Sequence, residues 1–151
     1  MNQRDPEHPI QTVSLSIPSI PRFLRIVRSL IAELAELNGF SLKDRDRICL
    51  AVGEACSNII RHSYKGKPDE IIVIKCELHE DRIKISIRDF GEKIDLSRIR
   101  PPDAASVQPG GLGVHMIRCM MDEVEYETTH EVGNEIHMTK LLSSAEHDNG
   151  G

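Results

Sequence analysis

The chain has 151 residues, enough for one well-cored domain and too few for two. Its 19 lysines and arginines stand against 24 acids, giving a net charge of −5, and with no tryptophan, 3% aromatic residues and no basic stripe, nucleic-acid binding is disfavoured. The start MNQRDPEHPIQ lacks the apolar run of a signal peptide, and no apolar segment approaches the roughly 18 residues needed to cross a bilayer, so a cytoplasmic protein without a membrane partner is expected.

Residues 1–11 are polar and carry proline, as a loose arm would. Val13, Leu15 and Ile17 then alternate with serines, the period of a half-buried strand. Pro18 and Pro21 bracket a turn into a helix over about 20–37, where Phe23, Val27, Leu30, Ile31, Leu34 and Leu37 share one apolar face. Asn38-Gly39 stops it. Ser41, with Asp44 three residues on, opens a second and central helix that is expected to run to His62 or Ser63. Two β-rich runs follow, 71–78 and 82–89, and the polar 79–81 between them reads as a hairpin connection. From Gly91 to Gly113 prolines, glycines and small polar residues make a long loop, of the kind found where there is function or disorder. A short helix beginning at Leu112, with Val114, Ile117 and Met121 inward, precedes strands at 124–128 and 134–142. Gly133 suits the turn between these strands. The domain thus spans 12–142, and 143–151 reads as a disordered tail.

Cys49, Cys56, Cys76 and Cys119 form no C-x-x-C pair and read as reduced core residues. The seven histidines show no metal-ligand spacing.

The stretch with most chemical content is Ile48 to Tyr64, ICLAVGEACSNIIRHSY. Glu54, Asn58 and His62 recur every four residues, and at about 100° per residue successive members lie roughly 40° apart on one helical face. Such a trio suits either the solvated edge of a core helix or a ligand site. Two further pieces follow it. Asp89-Phe90-Gly91 puts a carboxylate at a strand end, able to accept from an exocyclic amine, beside a glycine that lets a flat ring approach. Gly110-Gly111-Leu112-Gly113 exposes backbone N–H groups just before a helix, where phosphate is favoured. An amide oxygen close by suits magnesium, which takes few protein ligands. Jointly these features describe an ATP site. There is no G-x-x-x-x-G-K-[ST] loop, and no H-R-D segment accompanies the D-F-G letters.

EACSNIIRHSY resembles the N box, RDFG the G1 box and PGGLGVHMIRCMMDEVEY the G2 box of the GHKL ATPases, and within them the E-A-x-x-N-x-x-x-H form and the glycine-led helix ending in M-D-E-V are similar to the anti-sigma-factor serine-protein kinases of bacterial partner-switching systems. The resemblance covers about 12–141. It implies an α/β sandwich, in which a mixed, mostly antiparallel sheet carries helices on one face. It makes Glu54 the general base, Asn58 the magnesium ligand and His62 a residue at the rim of the phosphate site. Asp89 would take the adenine amine and Gly91 would admit the ring. Gly110, Gly111 and Gly113 would hinge a lid and contact phosphates, with Leu112 and Val114 among the nucleotide contacts. Arg98 or Arg100, from position and chemistry, is a candidate for steadying the γ-phosphate. The family's usual threonine near adenine is replaced by Asn134, which still hydrogen-bonds, and Arg61 stands where many relatives have an apolar residue. The implied activity is Mg·ATP-dependent phosphorylation of a STAS-domain anti-sigma factor antagonist by a homodimeric kinase that also sequesters a sigma factor or similar regulator. Two rivals stand beside it, a nucleotide-gated binding module with little phosphotransfer and a stand-alone histidine-kinase-like ATPase domain.

Overall fold

The computed structural model describes residues 9–95 and 113–143. Strand β1 (Gln11–Pro18) leads through a 3-10 turn (Pro21–Phe23) into helix α1 (Leu24–Leu37). Helix α2 (Leu42–Asn58) follows and widens into a π-helical turn (Ile59–Ser63). Then come β2 (Ile71–Leu78), β3 (Arg82–Asp89), helix α3 (Val114–Met120), β4 (Glu123–Glu127) and β5 (Asn134–Leu141). The five strands lie in the order β1-β2-β3-β5-β4. Among the described residues every pairing is antiparallel, so the parallel component of the expected mixed sheet is absent there.

Alternation in the sequence sets the layers. Ile74 and Cys76 of β2 stand opposite Ile87 and Ile85 of β3, which in turn stand opposite Ile136 and Met138 of β5. All of these are buried, while Lys75, between Ile74 and Cys76, and Lys84, next to Ile85, face solvent. Val27 and Ile31 of α1 and Ile48 and Val52 of α2 are fully buried in the same core, giving one layer of helices on one face of the sheet. Each such side chain contributes about 1.5–3 kcal/mol through burial. Ser41 caps α2 as its sequence indicates, its Oγ accepting from the Asp44 N–H at 3.2 Å.

Two expectations need correction. The central helix does not stay α-helical to His62: regular geometry ends at Asn58 and a wider turn carries Ile59 to Ser63. Periodicity does not reveal this, because one wide turn barely changes which side chains face the core. The cysteines are all free, but only Cys56 and Cys76 are buried, and Cys119 lies on the exposed side of α3. Lys140 of β5 is also buried. Its ammonium donates to the Met120 carbonyl at 2.9 Å and lies 3.8 Å from the Asp44 carboxylate, fastening the end of α3 to the start of α2.

Candidate functional site

The end of β3, the π turn after α2 and the start of β5 converge on one cavity, lined by Ala55, Asn58, Ile59, Ile87, Asp89, Ile94, Tyr126, Asn134 and Ile136. Its walls are apolar and its polar groups are few, as in a small-molecule site. Three of the residues singled out in the sequence line it: Asn58, Asp89 and Asn134.

Asp89 is the last residue of β3 and only 1% exposed. Antiparallel register places Asn134 directly opposite. The Asn134 amide donates to Asp89 Oδ1 at 3.1 Å and Oδ2 at 3.3 Å, and the Gly91 N–H donates to Oδ1 at 3.0 Å. Ser63 Oγ is 3.5 Å from Oδ2, the carboxylate oxygen with the longer contacts, which leaves it the more available to an incoming donor. Burial pushes the Asp89 carboxyl above its usual range, opposed by the Gly91 N–H, the Asn134 amide and the nearby Arg88 charge. Asn134 does more than replace a threonine. Its amide nitrogen also donates to the Glu92 carbonyl at 2.8 Å, and its oxygen accepts from the Ile94 N–H at 2.7 Å. A hydroxyl has too few donors and too short a reach for this set.

Gly91 lies against the π turn. A β-carbon there would stand 2.5 Å from the Ser63 carbonyl oxygen, and the Glu92 N–H donates to that oxygen at 3.0 Å. The glycine therefore also serves the protein's own packing, a constraint the D-F-G letters do not reveal. Tyr64 completes the junction: its hydroxyl accepts from the Phe90 N–H at 2.7 Å and donates to the Ile71 carbonyl at 2.6 Å. Sequence reasoning missed Ser63, Tyr64, Ile94 and Tyr126. Tyr64 and Ser63 end the central run, but partners 26 positions away in the chain leave no local signal.

One turn back along α2, the half-buried Glu54 faces the start of α3. Gly113, with φ +60°, packs against its carboxylate, and a β-carbon there would lie 2.6 Å from Glu54 Cγ. Asn58 is buried, and its side-chain oxygen accepts from Arg61 Nη2 at 3.1 Å. The same nitrogen lies 3.4 Å from Glu54 Oε2, which settles where Arg61 points. His62 stands half-buried beyond them, and its pKa is lowered by burial and by the Arg61 charge, with Glu54 opposing. Val114 is buried at the first turn of α3. The candidates Arg98, Arg100, Gly110, Gly111 and Leu112 lie outside the described residues.

These donors suit particular groups. Among the described residues no cluster of three or more His, Cys, Asp or Glu forms a metal site. A single amide oxygen at Asn58 fits an ion that takes most of its ligands from phosphate and water. A buried carboxylate at the floor of an apolar cavity, beside a glycine, fits an aminated ring. No described helix is long and apolar enough to cross a membrane.

Residues 17–140 match the profile of the histidine kinase-like ATPase domain. The chain is 30% identical over 149 residues to the serine-protein kinase RsbW of Bacillus cereus strain AH187, covering 93% of this chain and 91% of that protein. Identity to the serine-protein kinase RsbW of Bacillus anthracis strain CDC 684 is 29% over the same length. In three dimensions the fold is similar to that of a Mycobacterium tuberculosis protein with RsbU and RsbW domains. The TM-score is 0.63 at 18% identity, over 88% of this chain and 33% of that one. It is also similar to the histidine kinase domain of a blue-light activated histidine kinase from Erythrobacter litoralis, with TM-score 0.53 and 15% identity, over 87% of this chain and 64% of that one. The chain belongs to the histidine kinase-like, or GHKL, ATPase family and within it to the group of the RsbW serine-protein kinases.

Proposed function

We propose that the protein is a Mg·ATP-dependent serine/threonine kinase and anti-sigma factor. Its substrate would be a serine or threonine on a STAS-domain antagonist, and its client a sigma factor or similar regulator. The observation that carries this reading is that Asp89 and Asn58 line one apolar cavity and that Arg61 bridges Asn58 to the half-buried carboxylate of Glu54, one turn back along α2. The similarity to kinases named RsbW over nearly the whole chain supports the same choice of reaction.

Bound Mg·ATP supplies the phosphoryl group and neutralises charge on its oxygens. The protein's part is positioning. Asp89 accepts from the amine of the base, Asn58 offers its oxygen at the metal, and Glu54 takes the proton of the attacking hydroxyl as the new oxygen–phosphorus bond forms and the bond to ADP breaks. Retention of Glu54 favours a kinase over a nucleotide-gated binding module, since nucleotide binding alone needs no base. The phosphate placed on the antagonist adds nearly two negative charges at the interface and weakens that complex, freeing the kinase for its client. We place it in the cytoplasm, as a homodimer.

The test is transfer of label from the γ-phosphate of ATP, with magnesium, to STAS-domain proteins of the same genome, beside a Glu54→Ala control. Label on a serine or threonine that vanishes in the control is the expected result. ATP binding without label on any STAS protein would overturn the kinase reading in favour of the binding module.

A further inference from the structure

Arg61 lies where a cation belongs. The widened turn that begins one residue after Asn58 carries Arg61, and one nitrogen of its guanidinium meets both the Asn58 oxygen, at 3.1 Å, and Glu54 Oε2, at 3.4 Å. Asn58 is buried, whereas the Arg61 side chain is 58% exposed. The contact thus joins a fixed acceptor to a long arm that solvent can take back.

We propose that Arg61 is the resident counter-cation of the site and competes with the divalent ion for the Asn58 oxygen. The inference rests on the nucleotide reading above. Magnesium binds oxygen at 2.0–2.1 Å. A guanidinium on the same oxygen would then lie within a few ångströms of a doubly charged ion, and the two repel. Seating the ion therefore moves Arg61 away from Asn58, and the same movement uncovers Glu54 Oε2. The arrangement couples entry of the metal to release of the base, so the carboxylate stays engaged with Arg61 until the nucleotide's ion is in place. His62, beside Arg61, feels the same charge.

The experiment is calorimetric binding of a non-hydrolysable ATP analogue over a series of magnesium concentrations, for the wild type, Arg61→Gln and Arg61→Lys, with thermal melts to confirm folding. Removing the competing charge in Arg61→Gln should lower the magnesium concentration for half-maximal binding by roughly two- to fivefold, the scale of one exposed ion pair. Arg61→Lys, which keeps the charge, should stay near the wild type. If the wild type binds the analogue with a magnesium midpoint that Arg61→Gln leaves unchanged or raises, the competition is overturned and the nucleotide reading survives. If the wild type takes up no nucleotide at any magnesium concentration, both fall.

Discussion

Gly113 and Glu54 are in contact across the gap between α3 and α2: the glycine holds φ +60°, and any β-carbon there would strike the Glu54 carboxylate. Glycine is thus required twice over, by its backbone conformation and by its neighbour. Gly113→Ala is expected to push the carboxylate aside and cut phosphotransfer by about 10- to 100-fold, the scale of an ångström-sized misplacement. The αL strain adds about 1–2 kcal/mol of destabilisation. Initial rates measured beside a urea melt separate the two effects, and a normal rate in the folded variant would show that Glu54 tolerates displacement.

Glu54→Gln keeps the shape of the side chain and removes its ability to accept a proton. Phosphotransfer should fall by about 10²- to 10⁴-fold, with nucleotide affinity kept. Asn58→Ala should do the reverse and lose magnesium-dependent binding in calorimetry. Near-normal transfer by Glu54→Gln would place the base elsewhere, and unchanged affinity in Asn58→Ala would remove that residue from the metal.

Asn134 joins Asp89, Glu92 and Ile94 through one amide. Its replacement by alanine leaves a buried carboxylate without its main side-chain donor and orphans the Ile94 N–H. The expected loss is about 1–3 kcal/mol, read as a lower urea midpoint, with weaker nucleotide binding. Asn134→Thr, the residue usual in the family, should recover part of the stability, because a hydroxyl supplies one of the donors. A threonine variant no better than alanine would mean that the Glu92 and Ile94 contacts carry the whole effect.

The raised pKa of Asp89 has a sign that pH titration can read. Between the ordinary carboxylate value, about 3.9, and the higher folded value, the folded chain holds a proton that the unfolded chain has released. In that window the contribution of Asp89 to stability grows as pH falls and is lost as pH rises through the folded value. Asp89→Asn removes the component, so the stability of the variant minus that of the wild type should increase with pH across the window and level off above it. Denaturant melts over a pH series measure this. A flat difference would mean that the donors around Asp89 cancel its burial.

Much of the fold could be read from the chain because its signals are local. β-rich runs gave β2 and β3, three-four spacing gave α1, and Ser41 with Asp44 gave the start of α2. The pairs Val124 with Met138 and Tyr126 with Ile136 follow from alternation along each strand, once β4 and β5 lie side by side. Motif spacing also singled out Glu54, Asn58 and Asp89, of which Asn58 and Asp89 line one cavity.

What the chain by itself determined was therefore the identity and order of its elements and the family, and it singled out the few residues to which chemistry is proposed. The tertiary structure alone decided the wide turn after Asn58, the direction of Arg61, the second duty of Gly91 against Ser63 and the reach of Asn134 to Glu92 and Ile94. Each depends on groups distant in sequence meeting at fixed distances, and hydrophobic period encodes which face a residue turns inward, not which polar atom it will find there.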